Sequence, residues 1–166
     1  TGVSSGIAIG KAYVLHRERP EVPEYVLPAR LVDEEIARFK TAIENARGQL
    51  ERIRKHIPRS APPEIASIID THLLILHDKM ISEAPIGTIR KRQCNAEWAL
   101  NIQSDLLGKV FEQMDDPYLR NKKTDVNQVV DRVLRNLLLN QQDEHEQISD
   151  ALEGQIVVAN DLTPAD

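Results

Sequence analysis

The side chains best suited to chemistry in this chain are five histidines, one cysteine and a few acids. An imidazole can move a proton or hold a metal near neutral pH, provided a partner is correctly spaced. His72 and His77 stand five residues apart, so on a helix they do not share a face and make a poor metal pair. His72 falls on an apolar seam, which reads as a buried or half-buried, hydrogen-bonded side chain. His16 follows an apolar run, His56 closes a helical pattern and His145 lies in a polar segment, so all three read as ordinary surface groups. Asp115 and Asp116 could be taken for the paired carboxylates of a glycosidase. Standing directly before Pro117, they are better explained as the stop of one helix and the cap of the next. Asp70 and Asp78, about two turns apart, read as a solvated face. The opening GVSSG is not a phosphate cradle, because a strand pattern and not a helix follows it. Cys94 is the single cysteine, which rules out an internal disulfide and fits a reducing, cytoplasmic setting.

Four helices must position these residues. Over 31–57, the residues Val32, Ile36, Phe39, Ile43, Ala46, Leu50, Ile53 and Ile57 alternate spacings of four and three. That seam predicts a helix packed along its length against another at a shallow angle. Acids at its start and basic residues at its end suit the helix dipole. Residues 58–63 form a turn, and 64–78 form a helix apolar around much of its circumference. A break over 78–85 has room for one helical turn. A third helix is expected over 95–114, capped by Asn95, with Trp98, Ala99, Ile102, Leu106, Val110 and Met114 along one side and Leu107 and Phe111 widening it. The fourth, 117–139, starts behind Asp116 as N-cap and puts Leu119, Val126, Val130, Val133 and Leu137 on one face, with Val129 and Leu134 widening it.

Two strands flank this helical block. Residues 7–15 (IAIGKAYVL) are apolar on both alternating faces, which predicts a strand inside a sheet covered on both sides. QIVVAN, 155–160, is the second. Residues 17–28 read as a charged, Pro-punctuated connector and 140–150 as a polar loop. Thr163-Pro164-Ala165-Asp166 carries the signature of a helix start. Two strands alone would be marginal. The expectation is therefore a complete helical domain inserted between pieces of a truncated α/β domain.

Composition narrows the class. Hydrophobic residues make up 41 %, aromatics only 4 %, and seven glycines are present, which favours an α-rich fold. A net charge of −5 argues against a nucleic-acid platform and suits a partner with a basic face. No apolar run reaches membrane-spanning length, and no signal peptide is visible.

Four stretches in order and spacing, SSGIAIGKAYVL, EIASIIDTHLLILHD, MDDPYLRNKKTDV…LRNLL and QIVVANDLTPAD, resemble enzyme I of the bacterial phosphotransferase system. That family, the phosphoenolpyruvate–protein phosphotransferases, starts the relay that phosphorylates the carrier HPr for sugar uptake. The resemblance spans essentially the whole chain. It implies a mainly α fold of two antiparallel helical hairpins, a four-helix HPr-binding domain inserted into a truncated α/β phosphohistidine domain. On that reading 1–20 is the first strand region, 21–30 a connector, 31–139 the carrier-binding domain, 140–154 a loop and 155–166 the returning strand and helix start.

The family's phosphorylated histidine lies in a Gly-Gly-x-Thr-Ser-His-like motif beyond the LTP segment, and its PEP-binding barrel, with Mg2+-binding carboxylates, lies further on. The resemblance therefore implies a fragment with no catalytic residue and no cofactor of its own, cut from an active, homodimeric parent enzyme that uses Mg2+. The fragment itself is expected to be monomeric, cytoplasmic and without nucleic-acid or membrane partners. Carried over residue by residue, the carrier-docking face comprises Glu64, His72, Leu74, Ile75, Asp78, Ile81, Phe111, Met114, Leu119 and Lys122. The family often has acids where Pro63, Ile65, Ala66, Lys79 and Met80 stand here, and arginines at Lys122 and Asn127. Those departures keep open an HPr-like carrier of the nitrogen-regulatory branch. A helical adaptor module without phosphotransfer is the alternative the heptad seam alone would support; against a third, a pyruvate phosphate dikinase relative, this chain shows no resemblance to that family's nucleotide-binding part.

Overall fold

The computed structural model of the chain describes residues 6–15, 21–138 and 154–159. The chain divides into two compact units, one drawn from its two ends and one from the stretch between them.

The end unit contains two strands, β1 (Ala12–Leu15) and β2 (Ile156–Ala159), paired in parallel with Ala12 opposite Ile156 and Leu15 opposite Ala159. The strand expected over 7–15 is thus shortened to four residues. The reason is the length of its partner: the last bond upstream is Ile156 N–H to the Lys11 carbonyl, 2.8 Å. Ile7 and Ile9 have no ladder to join and are almost fully exposed. The expected burial of both sheet faces is likewise not met within these residues, since Val14, Val157 and Val158 are exposed. The GVSSG turn up to Ser5, His16, His145, most of the 140–154 loop and the helix start at 163–166 lie outside the described residues.

The helical unit is built on α1 (Val32–His56), preceded by a 3-10 turn at Ala29–Leu31. The heptad seam is its buried face: Ile36, Phe39, Ala42, Ile43, Ala46 and Leu50 are all in the core. A short turn leads to α2 (Pro63–His77), whose Pro63 sits where a missing N–H costs nothing. Arg54 at the end of α1 pairs with Asp70 midway along α2, so the two run antiparallel as a hairpin. The break after α2 holds a single turn, α3 (Lys79–Ser82), capped by Asp78, whose carboxylate accepts the Met80 N–H at 2.8 Å.

A further helix, α4 (Ala84–Arg92), was not expected from the sequence. Pro85 stands in its first turn and starts it, whereas it reads in sequence as a breaker. Gln93 ends it in the left-handed region at φ 50°, and α5 (Ala96–Glu112) follows. After Asp115-Asp116, α6 (Pro117–Leu138) begins, with the Asp116 carboxylate accepting the Tyr118 N–H at 2.8 Å, as the capping argument requires. α5 and α6 form the second hairpin, α6 also packs along α1, and α2 packs against α6. The expected pair of antiparallel hairpins is therefore present, supplemented by α3 and α4.

One expected face is wrong. On α5 the buried residues are Ala96, Glu97, Ala99, Leu100, Gln103, Ser104 and Gly108. Leu106 and Val110, assigned to the seam from sequence, are each 53 % exposed. Small residues face inward because α6 lies close: a Cβ on Gly108 would sit 3.3 Å from the Lys123 side chain. Leu106 and Val110 are left on the other side.

Candidate functional site

The residues expected to meet a partner come from α2, α3, α5 and the start of α6. These elements are mutual neighbours, since α2 adjoins α3 and α6, α3 adjoins α5, and α5 adjoins α6. The structure sorts the ten expected residues into three groups.

Leu74 is 72 % exposed on α2, and Glu64, Asp78 and Leu119 are exposed as well. Asp78 spends one carboxylate oxygen on the α3 cap, so it is a fixed charge and not a free one. Ile75, Phe111, Met114 and Lys122 are half-buried, and Ile75 and Phe111 pack against the core. His72 and Ile81 are a correction: both are buried, at 2 % and 1 %, and present no surface to a partner. Ile81 is drawn inward because α3 turns its apolar side toward α4 and α5. His72 occupies an apolar position of α2 where that helix meets α6.

Lys122 is held in place. Its ammonium donates to Asp125 at 2.8 Å and lies over the Tyr118 ring, 5.2 Å from the centroid. The Asp125 hydrogen bond keeps it above the usual lysine range, against a slight desolvation. Next to it, Lys123 pairs with Glu112 across the hairpin. The structure shows four more exposed apolar residues on these elements that sequence reasoning had not assigned to a partner: Met80, Leu106, Val110 and Tyr118. The signal for two of them was present in α5, whose opposite face is lined with Ala, Ser and Gly.

A second feature also escaped sequence reading. The Arg38 guanidinium donates to Glu97 (2.8 and 2.7 Å), to Glu35 (3.0 and 2.6 Å) and to the Leu137 carbonyl at 3.0 Å. Glu35 also accepts the Ala96 N–H at 2.6 Å, so it caps α5 in place of Asn95. Asn95 stands at the expected cap position but turns its side chain to the connector, accepting from Tyr25 N–H (3.2 Å) and donating to the Pro23 carbonyl (2.7 Å) and Glu97. Burial pushes the Glu97 carboxyl up, but Arg38, the backbone and Asn95 outweigh it and hold Glu97 below the usual carboxylate value. With Leu27 N–H bonded to the Gln93 carbonyl, the described part of the connector is fastened to the helices rather than loose.

Among the described residues no group of three or more His, Cys, Asp or Glu is placed to hold a metal, and no helix is long and apolar enough to cross a membrane. What these elements offer is a surface: exposed apolar residues ringed by capped or paired charges.

Comparison with known proteins agrees with that arrangement. The chain is 37 % identical over 170 residues to a phosphoenolpyruvate-protein phosphotransferase of Cupriavidus necator, covering 99 % of this chain and 29 % of that protein. It is 33 % identical over 168 residues to the protein of the same name from Bacillus subtilis, covering 28 % of it. The chain thus spans less than a third of the length of these relatives. A solution structure of Enzyme I superposes with a TM-score of 0.78 at 30 % identity, over 98 % of this chain and 64 % of that one. The N-terminal domain of a protein titled Enzyme 1 – Nitrogen shares the fold, with a TM-score of 0.72 at 23 % identity over 96 % of this chain and 63 % of that one. The family described as PEP-utilising enzyme, N-terminal, matches residues 1–122, and the chain belongs to it.

Proposed function

We propose that this chain is the carrier-docking, amino-terminal part of a phosphoenolpyruvate–protein phosphotransferase, and that its helical unit binds an HPr-type phosphocarrier. The observation that carries the reading is the outward exposure of Leu74, Leu106, Val110 and Leu119 on elements whose other faces are closely packed. Exposed apolar groups on adjoining helices, bordered by charges, are the composition of a protein interface. The stretch from α2 to α3 carries Glu64, Asp70, Asp78 and Glu83 against Lys79 alone, which suits a partner whose apolar patch is flanked by basic residues. Family membership supports a phosphocarrier as the kind of partner.

Phosphoryl transfer itself belongs, on this reading, to the longer parent. The parent would take the phosphoryl group from phosphoenolpyruvate with Mg2+, act as a homodimer in the cytoplasm and feed a sugar-uptake relay. The described residues of this chain contribute positioning of the carrier and not a reacting group, and on its own the chain should be inactive and monomeric. A carrier of the nitrogen-regulatory branch fits the same surface chemistry, with Lys122 and Asn127 where sugar-branch relatives often carry arginine.

The test is a titration of isotopically labelled chain with HPr and with its paralogues from the same organism, read by NMR. Shifts confined to 74–83 and 106–122 support the reading. A carrier set that perturbs none of those amides removes it. Leu74→Asp should abolish the shifts without altering helix content, because it places an unpaired charge in a contact that must desolvate.

A further inference from the structure

His72 is the buried titratable group that the docking surface itself does not use. It lies where α2 packs on α6, and its Nε2 makes no hydrogen bond. From α6 the charges of Asp125, Arg132 and Lys122 and the side chain of Gln128 act on it. Lys122, Asp125, Gln128 and Arg132 follow one another at spacings of three, three and four, so they form one polar stripe along α6. The other elements against α2 add little charge at this point. On α1, Arg54 is taken up by Asp70, and on α3 the charged groups are the capping Asp78 and exposed Lys79. Among the described residues Asp125 is the anion whose charge acts on the ring, and it is already bound to Lys122 through Oδ2.

We propose that His72 is a proton-operated switch beneath the docking face: protonation of its ring draws Asp125 away from Lys122 and frees that ammonium toward the partner. The inference deepens the docking reading above by naming its regulation. An imidazolium buried under the influence of two cations has little water to solvate it and must recruit a nearby carboxylate. Lys122 needs no such help, since it reaches solvent and can lose its partner at small cost. Burial, reinforced by Arg132 and Lys122 and opposed by Asp125 and Gln128, holds the ring below the ordinary imidazole range. The native ring is therefore neutral at pH 7 and takes its proton only under acidification. The released positive charge would sit on a face that meets a basic partner, so docking weakens as the pH falls.

The experiment is a pH titration of the whole chain from 7.5 to 5.0, following the His72 ring, the Asp125 carboxyl carbon and the Lys122 ammonium by NMR. The expected result is one midpoint shared by all three groups, lying below 6.5, the ordinary value for histidine. In His72→Gln the step at Asp125 and Lys122 should vanish. In Asp125→Asn the ammonium should be free at every pH and the ring midpoint should fall further. A His72 titration without a coincident step at Asp125 and Lys122 overturns the proposal, as does a ring that never titrates while the carboxyl does. Carrier affinity measured across the same range should weaken roughly twofold to fivefold on acidification, the effect of one screened charge at close range. A shared midpoint with no carrier binding at any pH leaves the switch standing and removes the docking reading.

Discussion

α1 and α5 each carry an apolar run at helical spacing in sequence and put it to different uses. On α1 the four-and-three seam is the core, with Phe39, Ala46 and Leu50 wholly buried. On α5 the run Trp98, Ile102, Leu106, Val110 is spaced by four, yet its last two members face solvent and the core is met by Ala99, Leu100, Ser104 and Gly108. The difference lies in the neighbours. α1 runs against α2 and α6 with room for large side chains, whereas α5 and α6 approach closely enough that Gly108 meets Lys123. Where two backbones come near, small residues are the buried ones, and a large apolar stripe left over on the other face becomes available for binding.

The sharpest way to break this comparison is to truncate one residue from each stripe. Leu50→Ala should lower stability by about 3 kcal/mol through lost burial and a residual cavity, while Leu106→Ala should cost less than about 0.5 kcal/mol. Chemical denaturation of both variants decides it, and similar losses would show that α5 buries Leu106 after all.

A smaller effect is expected at the Arg38 cluster, which joins α1 to α5 and α6. Glu97→Gln removes the buried carboxylate of an ion pair whose Arg38 side chain is 36 % exposed, and should cost about 2 kcal/mol at neutral pH. The pH dependence has a definite sign. Glu97 titrates below its ordinary value of 4.5 in the native state, so the native chain binds fewer protons there than the unfolded chain. Its contribution is present above that value and is lost as the pH falls through the native one. Wild-type stability should decline across that window, and the Glu97→Gln variant should decline less.

Overpacking sharpens the comparison from the other side. Ser104→Leu, on the close-packed face of α5, should cost about 1.5 kcal/mol, whereas the same leucine placed at exposed Asp105 should be nearly neutral. Thermal unfolding of the pair is sufficient. The smallest stability effect is expected for Leu74→Asp, within about 0.5 kcal/mol, because the side chain is already in water. Its neighbour Ile75 packs partly on the core, so Ile75→Asp should damage the fold itself and is a poor probe of docking. If circular dichroism showed both variants equally intact, the division of α2 into core and docking faces would have to be redrawn.

The local physics was legible without coordinates. Seam spacing located α1, the Asp116-Pro117 pair located the corner and the cap, and the second helix was rightly read as having more apolar surface than one seam can bury. Four ordered stretches carried the family resemblance. What was not legible depended on distances between segments far apart in sequence. Whether Leu106 is core or surface follows from how closely α6 approaches, not from α5's own pattern. Pro85 opens a helix only because Ile89 finds a place in the core. Asn95 gives up its cap because Glu35, 61 residues from the Ala96 amide it takes over, arrives there with Arg38. His72 and Ile81, placed on the docking face from resemblance, are inside because α6 and α5 cover them. Periodicity reports which residues a helix would prefer to hide. Only packing decides how many of those preferences the neighbouring helices can satisfy, and the apolar residues left over are the ones on which the proposed docking surface rests.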